Sequence, residues 1–297
     1  MIKMKKFPLF PFLLLLLSLV TVTSCSDDKK EETTEPRVLK AKVMIISDVH
    51  LFDPSLLIAL DVCHYNPQET AGSISDATLA WAVAQIAEAK AAGKVIMGMM
   101  HHGLLEHYTG QKQLFGEYVI DDWETVSAAL SAAGLEVMFT GHYHAQDIAM
   151  REIDGKKIYD VETGSTVTWP CPYRVIDLNG KTLTISSGRI ENIEGAIPGG
   201  ATFQVYAKDY LSNGLANIAA YMLMSPPYNV PQEYAVVMAP SFRNGFVAHY
   251  AGDEAPTTAD LTDVQMVMGV SPDLGMALGS LWTDTTPADN AFTLILQ

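Results

Sequence analysis

Val137-Met138-Phe139-Thr140-Gly141-His142-Tyr143-His144 reads as an apolar strand that delivers two imidazoles across a glycine turn at its carboxyl end. The same arrangement occurs twice upstream. Val43-Met44-Ile45-Ile46 runs into Asp48-Val49-His50, and Val95-Ile96-Met97-Gly98-Met99-Met100 runs into His101-His102. Short, uninterrupted apolar runs are what strands buried on both faces require. In open α/β sheets the carboxyl ends of parallel strands share one edge, and ligands bind there. Imidazole and carboxylate together suit manganese, iron and zinc. Any one of these histidines reads equally well as a hydrogen-bonded strand-end residue. The recurrence at three strand ends is what points to a metal centre.

Between and beyond these strands the pattern alternates. Leu57-Ile58-Ala59-Leu60 is a further short strand. Ser75 or Asp76 caps a helix with Leu79, Val83 and Ile86 on one face, and Gly93 ends it. Asp121 with Glu124 resembles a capping box before Val126, Leu130 and Ala133, with Gly134 as the stop. Residues 148–152, 157–162 and 183–187 alternate around Asp154-Gly155 and Asn179-Gly180, which are hairpin signals. After Ala196-Ile197-Pro198-Gly199-Gly200 the pattern turns helical. Phe203, Tyr206, Tyr210, Leu211, Ile218 and Met222 share a helical spacing, further helices are expected over 231–247 and 263–281, and a last strand over 292–296. The expected organisation is a leader (1–24), a tether (25–40), an α/β domain (41–195) and a mostly helical carboxyl-terminal domain (196–297).

The first residues place the chain in a cell. Lys3, Lys5 and Lys6 precede an apolar stretch, Phe7 to Val20, that is short for a membrane span, and Val22-Thr23-Ser24-Cys25 follows. This resembles a bacterial lipobox with Cys25 as the lipidated residue; an ordinary signal peptide with an incidental cysteine is the alternative. The charged run from Ser26 to Glu32 suits a tether to the envelope, as an outer-membrane lipoprotein facing either side. The formal charge is −15, and removing the leader makes it more negative. Nucleic acid is therefore not an expected partner, because its backbone is repelled unless a cation intervenes. With 48% hydrophobic residues, the chain has enough apolar content for a sizeable core. Cys63 and Cys171 read either as a bridge or as two separate thiols.

Asp48-x-His50, His101-His102 and Gly141-His142-x-His144, in this order and after these strands, resemble three motifs of the calcineurin-like metallophosphoesterases. The resemblance covers roughly residues 41 to 190. It implies a two-sheet sandwich flanked by helices, internally shortened here, with the helical carboxyl-terminal region added. It also implies that Asp48, His50 and His144 hold one divalent ion (Mn, Fe or Zn), that His101 and His142 hold a second, and that His102 is a substrate-facing group able to donate a proton to a leaving group. The reaction implied is hydrolysis of a phosphate mono- or diester by metal-bound hydroxide. Two family motifs are missing: a Gly-Asp whose carboxylate bridges the metals, and a Gly-Asn-His. Only Asp48 to Ser55 separate the first strand from Leu56-Leu57-Ile58-Ala59-Leu60, too few for a parallel crossover, so these two strands are expected to be antiparallel or in different sheets. The competing reading is a catalytically degenerate binding or structural envelope lipoprotein, and a fragment completed by a second polypeptide is a third.

The remaining polar residues carry weaker readings. Asp61 near His64 reads as a capping carboxylate more readily than as a substitute bridge, and His64 and His107 as surface or supporting residues. Glu106 and Tyr108 are placed at the mouth of the site or in an ordinary polar loop. Gly164-Ser165 reads as backbone donors to a phosphate or as a simple turn. His249 with Tyr250-Ala251-Gly252-Asp253-Glu254 ends a helix, and its acidic pair disfavours an anionic substrate unless it meets a cation.

Overall fold

The computed structural model describes residues 55–226, 228–252, 254–283 and 286–297. The strand expected at 43–46, Asp48, His50, Asp253, the leader, the tether and Cys25 lie outside the described residues, as does the relation between the first strand and the next.

The described fold is mixed α/β. A five-stranded sheet has the order β1 (Ser55–Ala59), β4 (Val95–Met99), β5 (Val137–Thr140), β7 (Lys156–Glu162), β6 (Ile148–Ile153). β1, β4, β5 and β7 run parallel, and β6 is antiparallel at the edge. Helices α1 (Asp76–Ala91) and α3 (Trp123–Ala133), with the one-turn α2 (Gln111–Leu114) between them, lie in the connections, and α1 and α3 cover one face. Against the other face lies an antiparallel sheet of β8 (Pro172–Asn179), β9 (Thr182–Arg189) and β10 (Ala291–Ile295). Alternation in β7 shows how one strand serves both layers. Tyr159 and Val161 pack between the two sheets with Leu183 and Ile185, while Ile158, Asp160 and Glu162 point to the helical face. The sandwich expected from the sequence is therefore present, with β2 (Cys63–Tyr65) and β3 (Gln68–Gly72) forming a small hairpin beside it.

The local signals fail in two places and hold in others. The Ser75 hydroxyl accepts from the Thr78 N–H at 3.1 Å and caps α1. Asp154-Gly155 both take positive φ, as a two-residue turn with the twist of a β6–β7 hairpin demands. The Asp121–Glu124 capping box does not form. Asp122 begins α3 in a left-handed conformation without a side-chain cap, and Asp121 instead accepts from Lys112 Nζ at 2.9 Å. The third helical stretch is two helices, α6 (Thr258–Val270) and α7 (Pro272–Ser280), because Pro272 cannot continue a helix but fits the first turn of a new one.

The carboxyl-terminal helices cap the sheet edge. Val230 and residues of α4 (Phe203–Met224), α5 (Gln232–Ala251), α6 and α7 close around Tyr108, Tyr143 and Ala145, which leave the ends of the parallel strands. Their apolar faces thus wall the region into which the strand-end histidines project.

Candidate functional site

β4 and β5 are parallel neighbours, with Met99 opposite Phe139, so their next residues emerge side by side. His101 and His142 consequently stand 4.5 Å apart between ring centroids, and His102 is 4.4 Å from His142. The turn that makes this possible is strained. His142 and His144 have φ of 74° and 69°, in the left-handed region that side chains other than glycine seldom occupy. Such conformations cost about 1–3 kcal/mol each and persist where surrounding contacts enforce them. Here the Gly141 N–H donates to the His101 carbonyl at 3.1 Å, and the Tyr143 N–H to Glu162 Oε1 at 3.0 Å.

Partial burial disfavours the charged form of these imidazoles. It depresses the pKa of His101, His102 and His144, and for His142 burial with the neighbouring His102 and His101 pushes the value down to about 3. Neutral imidazole is the form that binds metal. His101 is exposed and His142 and His144 are half-buried, so all three are within reach of solvent. The donor chemistry fits a borderline cation, although the described part of the group contains no carboxylate.

His102 is placed differently. Only 2% exposed, it directs Nε2 at the Thr70 carbonyl, 2.8 Å away, and its ring packs against Gly72, where any Cβ would come within 2.6 Å of Nδ1. The Thr70 carbonyl also meets His142 Nε2 at 3.2 Å. The hairpin β2–β3 is thus held against the histidines by one carbonyl. His102 is a group that locks this loop, and its burial removes it from the substrate-facing position implied by the resemblance.

Several other expectations resolve. Asp61 accepts from the Cys63 N–H and the Tyr65 hydroxyl, so it is a local cap. His64 bonds Ser73 Oγ at 2.7 Å. Gly164 spends its N–H on Gln146 Oε1 at 2.9 Å, which removes it as a phosphate donor. Glu106 accepts from the Lys112 N–H, and Tyr108 is buried with its hydroxyl 2.8 Å from that of Tyr143. Cys63 and Cys171 are free thiols.

The largest departure is His107, which the sequence left as a surface or supporting residue. It is fully buried at the centre of an acidic network beneath the histidine group. Its Nδ1 meets Asp147 Oδ1 at 2.5 Å, and its Nε2 faces Asp160 at 3.3 Å and Glu162 at 3.7 Å. Burial alone would pull this imidazole down, but Asp147 and Asp160 more than reverse that and hold it well above the usual histidine value. Burial raises Glu162 to about 8, with Asp160 adding to the effect and His107 opposing it. Asp160 also accepts from the N–H groups of Leu104 and Leu105 and from Thr140 Oγ1, fixing the loop that carries His101 and His102. One signal was available: Asp160 and Glu162 alternate with Tyr159 and Val161 and so fall together on one face of the strand, where two acids need partners.

Asp147 continues the network to His249 Nδ1 at 3.5 Å, and this nitrogen meets Glu254 Oε1 at 2.6 Å. The ligand atoms of Asp147, His249 and Glu254 all lie within 4.8 Å of one another. Among the described residues this set, and not the histidine group, closes to that spacing.

No family model matches the chain, and no curated protein matches it. Among solved structures it is similar to a dimetal phosphatase from Danio rerio, at 13% sequence identity and a TM-score of 0.32. That match covers 39% of this chain and 36% of the other, so this chain spans little more than a third of that protein's length.

Proposed function

We propose that this chain is a metal-dependent phosphoesterase of the calcineurin-like kind, held at the bacterial envelope by a lipid on Cys25. The observation that carries the reading is the convergence of His101 and His142, from adjacent parallel strands, with rings 4.5 Å apart at a solvent-accessible sheet edge. His144 and, from outside the described residues, Asp48 and His50 would complete the ligand set. A divalent ion in such a site supplies Lewis acidity toward a phosphoryl oxygen. It also offsets the negative charge of the chain, which otherwise repels a phosphate ester.

The chain's own residues supply placement. The strained turn aims His142 and His144, and Tyr118, with its ring centroid 4.8 Å from that of His142, backs the imidazole. His102 holds the hairpin through Thr70. Among the described residues no helix is long and apolar enough to cross a membrane, so the envelope reading rests on the amino-terminal sequence.

One observation favours the competing reading of a degenerate binding lipoprotein: the Thr70 carbonyl already occupies the Nε2 side of His142. Two measurements separate the readings. A phosphoesterase retains manganese, iron or zinc by mass spectrometry and hydrolyses a chromogenic phosphodiester, a reaction lost on His144→Ala and restored to stripped protein by manganese. Metal-free protein with no turnover under manganese leaves the degenerate lipoprotein.

A further inference from the structure

Buried acids outnumber buried bases beneath the histidine group. Asp147, Asp160, Glu162 and Glu254 face the imidazoles of His107 and His249, with the Arg174 guanidinium beside Asp147 as the third positive group. Taking carboxylates out of water is costly unless positive charge accompanies them or, as at Glu162, burial raises the pKa and the group takes up a proton. Three atoms in this region also lack a hydrogen-bond partner: His107 Nε2, His249 Nε2 and, on the carboxylate that closes the cluster and is 1% exposed, Glu254 Oε2. A buried polar atom with no partner calls for a missing ion or water.

We propose that Asp147, His249 and Glu254 form a buried divalent-cation site that clamps the end of α5 to the edge of the main sheet. It shares no residue with the histidine group. One imidazole nitrogen and two carboxylate oxygens make a three-ligand set suited to zinc. With bonds near 2.0–2.1 Å, tetrahedral ligands stand about 3.3 Å apart. The 3.5 Å between His249 Nδ1 and Asp147 Oδ2 meets that requirement, and the 2.6 Å to Glu254 Oε1 opens by about 0.7 Å when the proton between them gives way to an ion. The other oxygen of Asp147 stays on His107, which orients it.

The backbone is built to bring Glu254 back. His249 lies in the last turn of α5, and Gly252 follows with a φ of 73°. A Cβ at Gly252 would sit 2.3 Å from the Gln146 carbonyl, so the chain passes against the strand end at a distance open only to glycine. Glu254 thereby reaches a histidine five residues earlier. Asp147, next to Gln146, comes from the sheet side of the same contact.

The test uses the full chain carrying His101→Ala, His142→Ala and His144→Ala, which removes three of the five ligands proposed for the open group and leaves it too few for tight binding, stripped with chelator and titrated with Zn²⁺. One equivalent should bind and raise Tm, and adding Glu254→Gln or Asp147→Asn should weaken binding at least about tenfold while circular dichroism shows the fold retained. Zinc-edge X-ray absorption on the triple variant needs no further substitution and should show a shell of oxygen with a single imidazole. No bound zinc in a folded triple variant, zinc indifferent to Glu254→Gln and Asp147→Asn, or a shell of several imidazoles would each overturn the site. Because the triple variant lacks the open histidines, these outcomes do not depend on phosphoesterase activity.

Discussion

His107 Nδ1 and Asp147 Oδ1 meet at 2.5 Å with the two side chains 0% and 8% exposed, which makes this the central ion pair between the 101–108 loop and the strand that follows the histidine turn. Breaking a buried pair from one side strands the other charge, at a cost of about 3–5 kcal/mol. His107→Gln should therefore lower stability by about that amount, read as a shift in urea midpoint. A change below about 1 kcal/mol, the value of an exposed pair, would show that the contact is not formed in solution.

The same network sets the pH dependence of chelator-treated protein. Asp147 is held below its ordinary value, since His107 and His249 outweigh its burial, so its contribution is present above about pH 4 and lost as pH falls. His107 is held high, so its contribution is full below about pH 6.5 and lost as pH rises through its folded value. Glu162 is protonated up to about 8 in the fold. Unfolding therefore releases its proton between the ordinary carboxylate range and that value, and stability falls with rising pH by up to about 1.4 kcal/mol per pH unit. Stability should peak in mild acid, and Glu162→Gln should flatten the decline from pH 5 to 8 in urea titrations. An unchanged slope in that variant would assign the decline to other groups.

Gly252→Ala joins two penalties, a left-handed φ of 73° and a Cβ 2.3 Å from the Gln146 carbonyl. The conformational part alone costs about 1–3 kcal/mol, and the carbonyl is backbone that cannot swing aside. Expected is a marked fall in Tm, larger than that of Gly155→Ala, where φ is also positive but nothing lies within 4 Å of the added carbon. Equal losses at the two positions would mean that the close approach at Gly252 is absent.

What the sequence shows and hides follows from the range of the interaction. The strands, the α1 cap and the hairpins are written in neighbouring residues: Val137 to Thr140 can only be a buried strand, and Asp154-Gly155 can only turn. The convergence of His101 and His142 was legible because parallel strands place like ends together. The capping box at Asp121 failed because Lys112, nine residues away, competes for that carboxylate. His107, Asp147, His249 and Glu254 were not legible as a group, since 147 residues separate Glu254 from His107 in the chain and no local period joins them. The burial of His102 was hidden for the same reason: its partner is the backbone of Thr70, and a carbonyl leaves no mark on side-chain pattern.

The role of His102 is separable from that of His142 by kinetics. Were His102 a proton donor to the leaving group, His102→Ala would cut kcat, leave KM, and erase one limb of the pH–rate profile. Its burial and its bond to the Thr70 carbonyl predict otherwise: a stability loss of about 0.5–1.5 kcal/mol from the lost hydrogen bond, with the His142 contact to that carbonyl left in place, a rise in KM or a loosened metal affinity as the hairpin shifts, and both pH limbs retained. His142→Ala should instead abolish turnover at every pH while costing less stability, because its ring is half-buried. Gly72→Ala supplies an independent check, since its Cβ would meet the His102 ring at 2.6 Å and push it from the same pocket; it should reproduce the His102→Ala profile. A lost limb in both variants would return His102 to the chemistry.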